Sequence, residues 1–530
     1  MQEKTGIRLV FVLALLVCAL LAAANIFLGD LNQDEGWYLY AAGQVARGSL
    51  PYRDFAFTQA PVMPFVYAAA DALVQAWGVM GGRIFTALLG LLGALAASAL
   101  ASKAVHNRWR AHAAALAFAL VAVNVYQSYF TSVVKTYSLC TLFLTVGLLA
   151  LAAGYDRRRL LACFASGVLL ALAAGTRISA GIALPVVFLF LLFWGWKTDW
   201  RSWFMFGLGG GIGLLAIFVP LYLAAPDGFI FGVLQYHTLR DPGSLAYQLM
   251  LKAGFISRWV QAYLIASVLA VALVVIRLLP TRRAPAADGP VNVSMLLSVF
   301  AAVSLVHFLA PFPYDDYQVP VYPILGAALA AAAVNMLASL TPDEGNIRRR
   351  AMAGLLWIAL LISVLASFSS PINQQWMILG RDRIWWLTKD KPDIVKLREA
   401  AKWIRENSGP DDLLLTQDTY LAVEAGRQVP RGLELGPFSY YPDWTSSRAK
   451  KLKVLNRTAL LKLLDKADAP VAAFSGYGLS IRCPEVEPLS QEDQAALLVA
   501  LNVRYKTALL MDNFGQAHTT LQIMTRRPTE

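Results

Sequence analysis

The run from Ile7 to Leu28, IRLVFVLALLVCALLAAANIFL, opens directly onto Gly29-Asp-Leu-Asn-Gln-Asp34-Glu35-Gly-Trp-Tyr38. An α-helix needs about 20 apolar residues to cross the hydrocarbon core of a bilayer, so the run predicts a span and the two carboxylates stand just outside it. The pattern repeats along the chain. Apolar runs bounded by charge begin near Ile7, Gly82, Ala111, Tyr137, Leu160, Ile178, Trp203, Trp259, Val291, Pro320 and Ala351, which predicts eleven spans. Composition points the same way: of 530 residues 57% are hydrophobic and 15% charged. The mean hydropathy of +0.52 excludes a soluble single-domain protein.

Charge divides the chain at Pro371. Met1 to Ser370 holds 24 Lys+Arg and 15 Asp+Glu, whereas the 160 residues from Pro371 to Glu530 hold 22 and 19. The expectation is an α-helical polytopic membrane domain over 1–370 and a small soluble domain over 371–530. The formal net charge of +12 would suit a nucleic-acid partner, but most of the excess lies in short loops of the membrane part, where it orients the spans. Alternate loops carry 16 basic residues against eight in the opposite loops, among them Arg157, Arg158, Arg159 and Arg348, Arg349, Arg350 on the richer side. That side is expected to be cytoplasmic, and an odd number of spans then puts the soluble domain outside. The start resembles a signal peptide in its basic residues and in Ala22, Ala23 and Ala24, but its apolar core is long for one. Cys18, Cys140 and Cys163 fall in apolar runs and Cys483 stands alone, so neither a disulfide framework nor a cysteine metal site follows.

No internal period of a repeat protein is visible. Gly207, Gly209, Gly210, Gly211 and Gly213 make one Gly-dense apolar run, expected to let helices approach closely. In the soluble part, Ile394, Leu397, Ala400, Ala401 and Ile404 mark one face of a helix over Asp393 to Glu406. Strands are expected at Leu413–Thr416, Pro470–Phe474, Lys506–Met511 and Thr520–Met524, with helices at Thr419–Ala425 and Gln491–Leu501. This is a small α/β or α+β domain.

The outer loops hold the unusual chemistry. The first, over 29–81, is too long for a plain connector, and Gly36 to Ala46 is amphipathic at helical spacing with Trp37, Tyr38 and Tyr40 suited to the membrane interface. Asp34 and Glu35 have two readings: one caps the following helix, or they serve catalysis. Lys135 and Arg177, at span ends, either hold a phosphate or snorkel to the headgroups. His237, Arg240 and Asp241 follow the seventh span, and His307, Tyr314, Asp315, Asp316 and Tyr317 follow the ninth. The paired Asp315 and Asp316 suit a sugar or a divalent cation, or are simply solvated; without fixed ligand spacing no metal site is assigned and a divalent cation is left open.

The run Asp34-Glu35-Gly-Trp-Tyr38, then Ala41-Ala-Gly-Gln-Val-Ala-Arg-Gly48, Pro51-Tyr52-Arg53-Asp54-Phe55, Gln59-Ala-Pro61 and Arg83 resembles the first outer loop of GT-C membrane glycosyltransferases. It looks most like the branch containing the protein O-mannosyltransferases and the lipid A aminoarabinose transferases. The resemblance implies transfer of a sugar, hexosyl or pentosyl, from a polyprenyl-phosphate donor to an outer acceptor hydroxyl with inversion. The acceptor would be an envelope polysaccharide, lipid or protein, and the setting a bacterial inner membrane with the soluble domain in the periplasm. It makes Asp34 the catalytic carboxylate with Glu35 beside it; Arg177, Lys135, Arg240 and Arg83, cations of the outer loops and span ends, are expected to hold the donor phosphate. Tyr52, Asp54, His237, Tyr314, Asp315 and Asp316 are then expected on the sugar or acceptor. Many members carry a Lys before a Pro-Pro pair where this chain has Gln59, Ala60 and Pro61, so the phosphate contact must come from elsewhere.

Chemistry agrees with that reading. A lipid phosphate leaves readily, so the site needs a base for the acceptor and cations for the leaving group rather than a strong acid. The alternative is a non-catalytic transporter or lipid flippase, which would place charges near the bilayer midplane; here they cluster at span ends.

Overall fold

The computed structural model describes residues 2–154, 158–194, 199–238, 243–278, 291–340, 347–369, 390–476, 489–516 and 518–528. Arg240, Asp241 and Cys483, and the expected boundary at Pro371, lie outside the described residues. The described chain is mostly helical. Helix α1 spans Gln2–Leu28 and α2, in the first outer loop, Gln33–Ala46; α3 spans Val79–Lys103, α4 Tyr137–Gly154, α5 Arg159–Thr176, α6 Arg201–Ala224 and α7 Val293–Leu309.

Among the described residues five helices are long and apolar enough to cross a membrane: Thr5–Leu28 within α1, then α3, α4, α5 and α6. A sixth crossing results if Leu245–Ala262 and Leu264–Val275, bent by 92° at their junction, count as one. Shorter apolar helices occupy Ile178–Phe193, Val293–Leu309, Tyr322–Ala338 and Ala353–Ser363. The segment expected from Ala111 is broken for a visible reason. Its helix, Arg110–Ala122, stops at Val123, and Asn124 caps a new one, Val125–Phe130, by accepting from the Gln127 amide. Tyr126, Tyr129 and Phe130 of that short helix are buried.

Glycine sets the tightest helix contact. A Cβ on Gly167 of α5 would stand 2.3 Å from the Phe206 carbonyl oxygen, and one on Gly209 of α6 would stand 2.1 Å from that of Phe164. The two backbones touch directly, as small residues allow in lipid where no hydrophobic force draws helices together.

The C-terminal lobe is built on α8, Asp393–Glu406, and α9, Thr419–Ala425, against a four-stranded sheet. Strands β1 (Leu414–Thr416), β2 (Val471–Phe474), β3 (Tyr505–Phe514) and β4 (Thr519–Arg526) lie in the order β1-β2-β4-β3. The β1/β2 pair is parallel and the others antiparallel, so the sheet is mixed. Helix α8 buries the stripe Ile394, Leu397, Ala400, Ala401 and Ile404. The sequence reading missed Arg457–Lys466, whose buried Leu460 and Leu464 supply only a short apolar stripe.

One apolar core joins the lobe to the first outer loop, running from Leu31, Trp37, Leu39 and Phe57 to Leu397, Leu421 and Ile523. Gly36 is where α2 meets α9: a Cβ there would lie 2.3 Å from the Tyr420 amide nitrogen. Asp393 Oδ2 accepts from the Leu31 amide at 2.8 Å, Glu424 Oε2 from the Val79 amide at 2.8 Å, and Tyr40 Oη from the Val429 amide at 3.0 Å.

Glu434 lies in the same lobe, 8% exposed, and accepts from the Gly432 amide at 2.7 Å. Burial pushes its carboxyl up to about 7, against about 4.3 in an unfolded chain. The folded state therefore holds the extra proton between those values, and stability falls as pH rises through that window. Thermal denaturation followed from pH 4 to 8 should show the decline, and Glu434→Gln should flatten it and raise the melting temperature at pH 8. An unchanged pH profile in that variant would place the titration elsewhere.

Candidate active site

The geometry begins where α1 ends. Asn32 caps α2, its Oδ1 accepting from the Asp34 amide at 3.1 Å, and Glu35 closes the capping box by accepting from the Asn32 amide at 2.9 Å. Capping thus falls to Asn32 and Glu35, and Asp34 is left to face outward. Successive helical residues diverge by about 100°, which sends Glu35 the other way, into full burial.

Arg83 meets Glu35 there. Its Nε donates to Glu35 Oε1 and its Nη2 to Oε2, both at 2.7 Å, while the rest of the guanidinium donates to the carbonyls of Asn25, Ile26, Gly29 and Asp30 at 2.8 to 3.3 Å. Arg83 was expected on the donor phosphate; at zero exposure, with its donors taken by Glu35 and the end of α1, it is a clasp instead. Glu35 is equally committed, since Oε1 also accepts from the Val134 amide at 3.2 Å.

Asp34 opens onto a cleft of about 1630 Å³ between the outer ends of the membrane helices and the lobe. Trp37 Nε1 donates to its Oδ1 at 3.1 Å, and Lys135 Nζ lies 3.2 Å from its Oδ2. The same Nζ lies 3.1 Å from Asp316 Oδ2, to which Tyr137 Oη donates at 2.9 Å. Three residues distant in sequence thus form one row, Asp34, Lys135, Asp316, with side chains 10 to 24% exposed. Asp316 Oδ1 is buried without a hydrogen-bond partner.

Arg177 stands on the same wall. Its Cζ lies 4.4 Å from the Tyr317 ring centre and 5.1 Å from that of Tyr137. One long bond reaches Thr136 Oγ1 at 3.5 Å, and the buried Nε has no partner. A guanidinium packed by its faces against aromatic rings keeps its edge for an oxyanion.

The remaining expected residues divide. His237 lines the cleft and pairs with the Thr58 carbonyl at 2.9 Å; Tyr314 lines it and is 39% exposed. Asp315 reaches its edge but is 5% exposed, bonded to Tyr126 Oη at 2.5 Å and to Arg258 Nε at 3.2 Å. Burial, with Asp316 adding to it, holds the Asp315 carboxyl above the usual carboxylate range. Tyr52 and Asp54, expected on the sugar or acceptor, do not line the cleft. Tyr52 is buried with its hydroxyl donated to the Gln59 carbonyl at 2.5 Å, which shapes the loop behind the wall; Asp54 pairs at the surface with Arg53 at 2.7 Å. Gln59 and Ala60, at the point where relatives in the resembled family carry a Lys, do line it. Trp37, Tyr137, Arg258 and Ser179 also line the cleft; Trp37, in the same motif as Asp34, and Tyr137, two residues after Lys135, offered a signal by position, whereas Ser179 offered none. Among the described residues no three His, Cys, Asp or Glu side chains converge to hold a metal ion.

Breaking a buried ion pair by removing one partner typically costs about 3–5 kcal/mol. Glu35→Ala should therefore lose thermal stability heavily, whereas Asp34→Asn should melt close to the parent protein. Equal melting temperatures for Glu35→Ala and the parent would remove the clasp from the account.

No family profile and no curated protein matches the sequence. Solved structures do. ArnT from Cupriavidus metallidurans bound to undecaprenyl phosphate is 16% identical with a TM-score of 0.58, and the match covers 97% of each chain. The apo state of that protein gives the same values. The apo oligosaccharyltransferase of Archaeoglobus fulgidus is 12% identical with a TM-score of 0.51, covering 88% of this chain and 69% of that one. At these identities the likeness is one of fold, and it is the one the first outer loop led us to expect: the chain has the GT-C glycosyltransferase fold.

Proposed function

We propose that this protein is an integral membrane glycosyltransferase that moves a hexosyl or pentosyl group from a polyprenyl-phosphate donor to an acceptor hydroxyl at the outer face, with inversion. The observation that carries the reading is the row Asp34, Lys135, Asp316 beside the open edge of Arg177, in one cleft at the level where membrane helices end. A lipid-linked phosphate and a water-side hydroxyl meet only at that level. The solved structure of ArnT with undecaprenyl phosphate supports a donor of this class.

In this mechanism Asp34 accepts the proton of the attacking hydroxyl as its oxygen bonds to the anomeric carbon. The bond from that carbon to the phosphate oxygen breaks, and its electron pair leaves with the phosphate. Arg177 and Lys135 face the charge that develops there. Lys135 begins between two carboxylates, so a phosphate that draws its Nζ away also frees Asp34 Oδ2 to act as base. Arg240, expected beside them, lies outside the described residues. Asp316 and Tyr137 hold Lys135, and His237 and Tyr314 line the space left for sugar and acceptor. One displacement with one base and no covalent intermediate inverts the configuration, by analogy with glycosidase logic.

In the same reading the chain crosses the membrane eleven times, its N-terminus is cytoplasmic, and the lobe stands in the periplasm of a bacterial inner membrane. The acceptor is an envelope polysaccharide, lipid or protein.

Loss of a general base costs about 100- to 10,000-fold in rate. Asp34→Asn should fold, bind polyprenyl phosphate, and transfer sugar from a polyprenyl-phosphate donor at least about 100-fold more slowly. Turnover within about tenfold of the parent, above that range, would make the carboxylate structural. Orientation is checked separately. Lys402 is 73% exposed on the lobe, and Lys402→Cys should react with a membrane-impermeant thiol reagent added outside intact cells. Reaction only after the membrane is opened would reverse the topology.

A further inference from the structure

Behind Arg177 the cleft wall holds a row of side chains to which the proposed mechanism gives no task. The chain turns as it leaves α5, with the Ala180 amide bonded to the Arg177 carbonyl at 2.9 Å, and both Arg177 and Ser179 line the cleft. Ser179 Oγ lies 2.8 Å from Nε2 of His307, near the end of α7. His307 Nδ1 lies 3.4 Å from Gln318 Nε2, and Gln318 Oε1 accepts from Ser304 Oγ at 2.8 Å. His307 and Gln318 are almost fully buried.

With Ser304 donating to Gln318, as the hydrogen-bond network is assigned, the positions of the other protons follow. The Ser304 hydroxyl occupies the Gln318 amide oxygen, so the amide turns its NH2 toward His307. An NH2 only donates, which makes Nδ1 the acceptor and puts the proton of the neutral imidazole on Nε2. Nε2–H then donates to Ser179 Oγ. The hydroxyl hydrogen of Ser179 then has no place between those two atoms and is free to be donated to an acceptor in the cleft.

Arg177 lines the same cleft, its Nε buried without a partner and the faces of its guanidinium against Tyr137 and Tyr317. A guanidinium and a hydroxyl two residues apart, on side chains that both line one cleft, make a pair of donors suited to a tetrahedral oxyanion.

We infer that Ser179 is a second hydrogen-bond donor to the donor lipid's phosphate, and that His307, Gln318 and Ser304 are positioning residues that keep its hydroxyl turned toward it. This rests on the glycosyltransferase reading and adds to it a contact from a neutral side chain, held by a buried relay.

The test uses the full-length protein in lipid nanodiscs, titrated with polyprenyl phosphate and assayed in parallel for sugar transfer. Ser179→Ala should weaken polyprenyl phosphate binding about tenfold or more, as expected for a hydrogen bond to a charged group. His307→Leu should weaken it to the same degree, whereas His307→Gln, whose amide N–H can replace Nε2–H, should bind close to the parent. The double variant Ser179→Ala/His307→Leu should bind no worse than Ser179→Ala alone, because the relay acts only through Ser179. If His307→Leu does not fold, the contrast between Ser179→Ala and His307→Gln carries the comparison. Parental binding by Ser179→Ala while Arg177→Ala loses affinity and Asp34→Asn loses turnover would overturn this inference and leave the glycosyltransferase reading standing. Parental binding by both Ser179→Ala and Arg177→Ala would remove the phosphate from this wall and take both down. Losses at Ser179 and His307 that simply add would overturn the positioning role.

Discussion

The clasp between Arg83 and Glu35 holds the rest of the site in place. A guanidinium and a carboxylate at zero exposure carry a large desolvation cost, which only near-complete hydrogen bonding offsets. Here the offset comes from the surroundings: the last carbonyls of α1, at the negative end of that helix, face the guanidinium, and the Val134 amide adds a donor to the carboxylate. A single buried pair thereby ties the end of α1, the start of α2, the outer end of α3 and the segment leading to Lys135. Asp34 is carried on the turn that this clasp fixes, and Lys135 is the next residue after Val134. The distance between Asp34 and Lys135 is set in part by an interaction that neither of them makes.

That arrangement explains which parts of the site were legible in sequence. Adjacent carboxylates after a span announced charge at the membrane surface, but sorting them needed the neighbours: Asn32 as the cap, Arg83 as the partner of one carboxylate, Lys135 as the partner of the other. Lys135 and Asp316 are 181 positions apart, and nothing local predicts that they meet. Arg83 read as a phosphate ligand because a cation at a span end looks the same whether its donors are free or taken. The tail was easier. Its helices and strands alternate with a clear period, and α8, α9 and the four strands fall within a few residues of expectation, although the β3/β4 hairpin is longer than its apolar signal. The membrane part was harder for a related reason, since a continuous apolar run does not say where a helix breaks, as one does at Asn124 and another at Tyr263.

Among the described residues, charge in the cleft is nearly balanced. Lys135 is shared by Asp34 and Asp316, Arg258 is paired with Asp315, and Arg177 is stacked on tyrosines rather than paired with a carboxylate. Among the described residues, a single extra anion therefore finds the Arg177 guanidinium, which is not paired with a carboxylate, and one lysine that can be redistributed. In a site partly closed to water such interactions are stronger than at an open surface, so small displacements of Lys135 alter the environment of both carboxylates.

The cleft is also a joint between two bodies. Asp34 rides on α2, whose apolar side belongs to the core of the C-terminal lobe and whose Gly36 lies against Tyr420 with no room for a side chain. Lys135, Arg177, Tyr317 and Asp316 ride on the outer ends of the membrane helices and their connections. The bond from Asp34 to Lys135 therefore crosses from one body to the other, close beside the Glu35–Arg83 clasp that fixes their contact. Gln516, His518 and Thr519, around the start of β4, line the cleft together with Asn32 and Gln33, and the Gln33 amide donates to Gln516 Oε1 at 2.9 Å. The lobe thus forms one wall of the cleft beside α2 and Asp34, while Lys135 and Arg177 stand on the wall of the membrane helices. Because the Val134 amide is bonded to Glu35 and Lys135 is the next residue, the Glu35–Arg83 clasp holds Asp34 and Lys135 at their observed separation although the two residues lie on different elements.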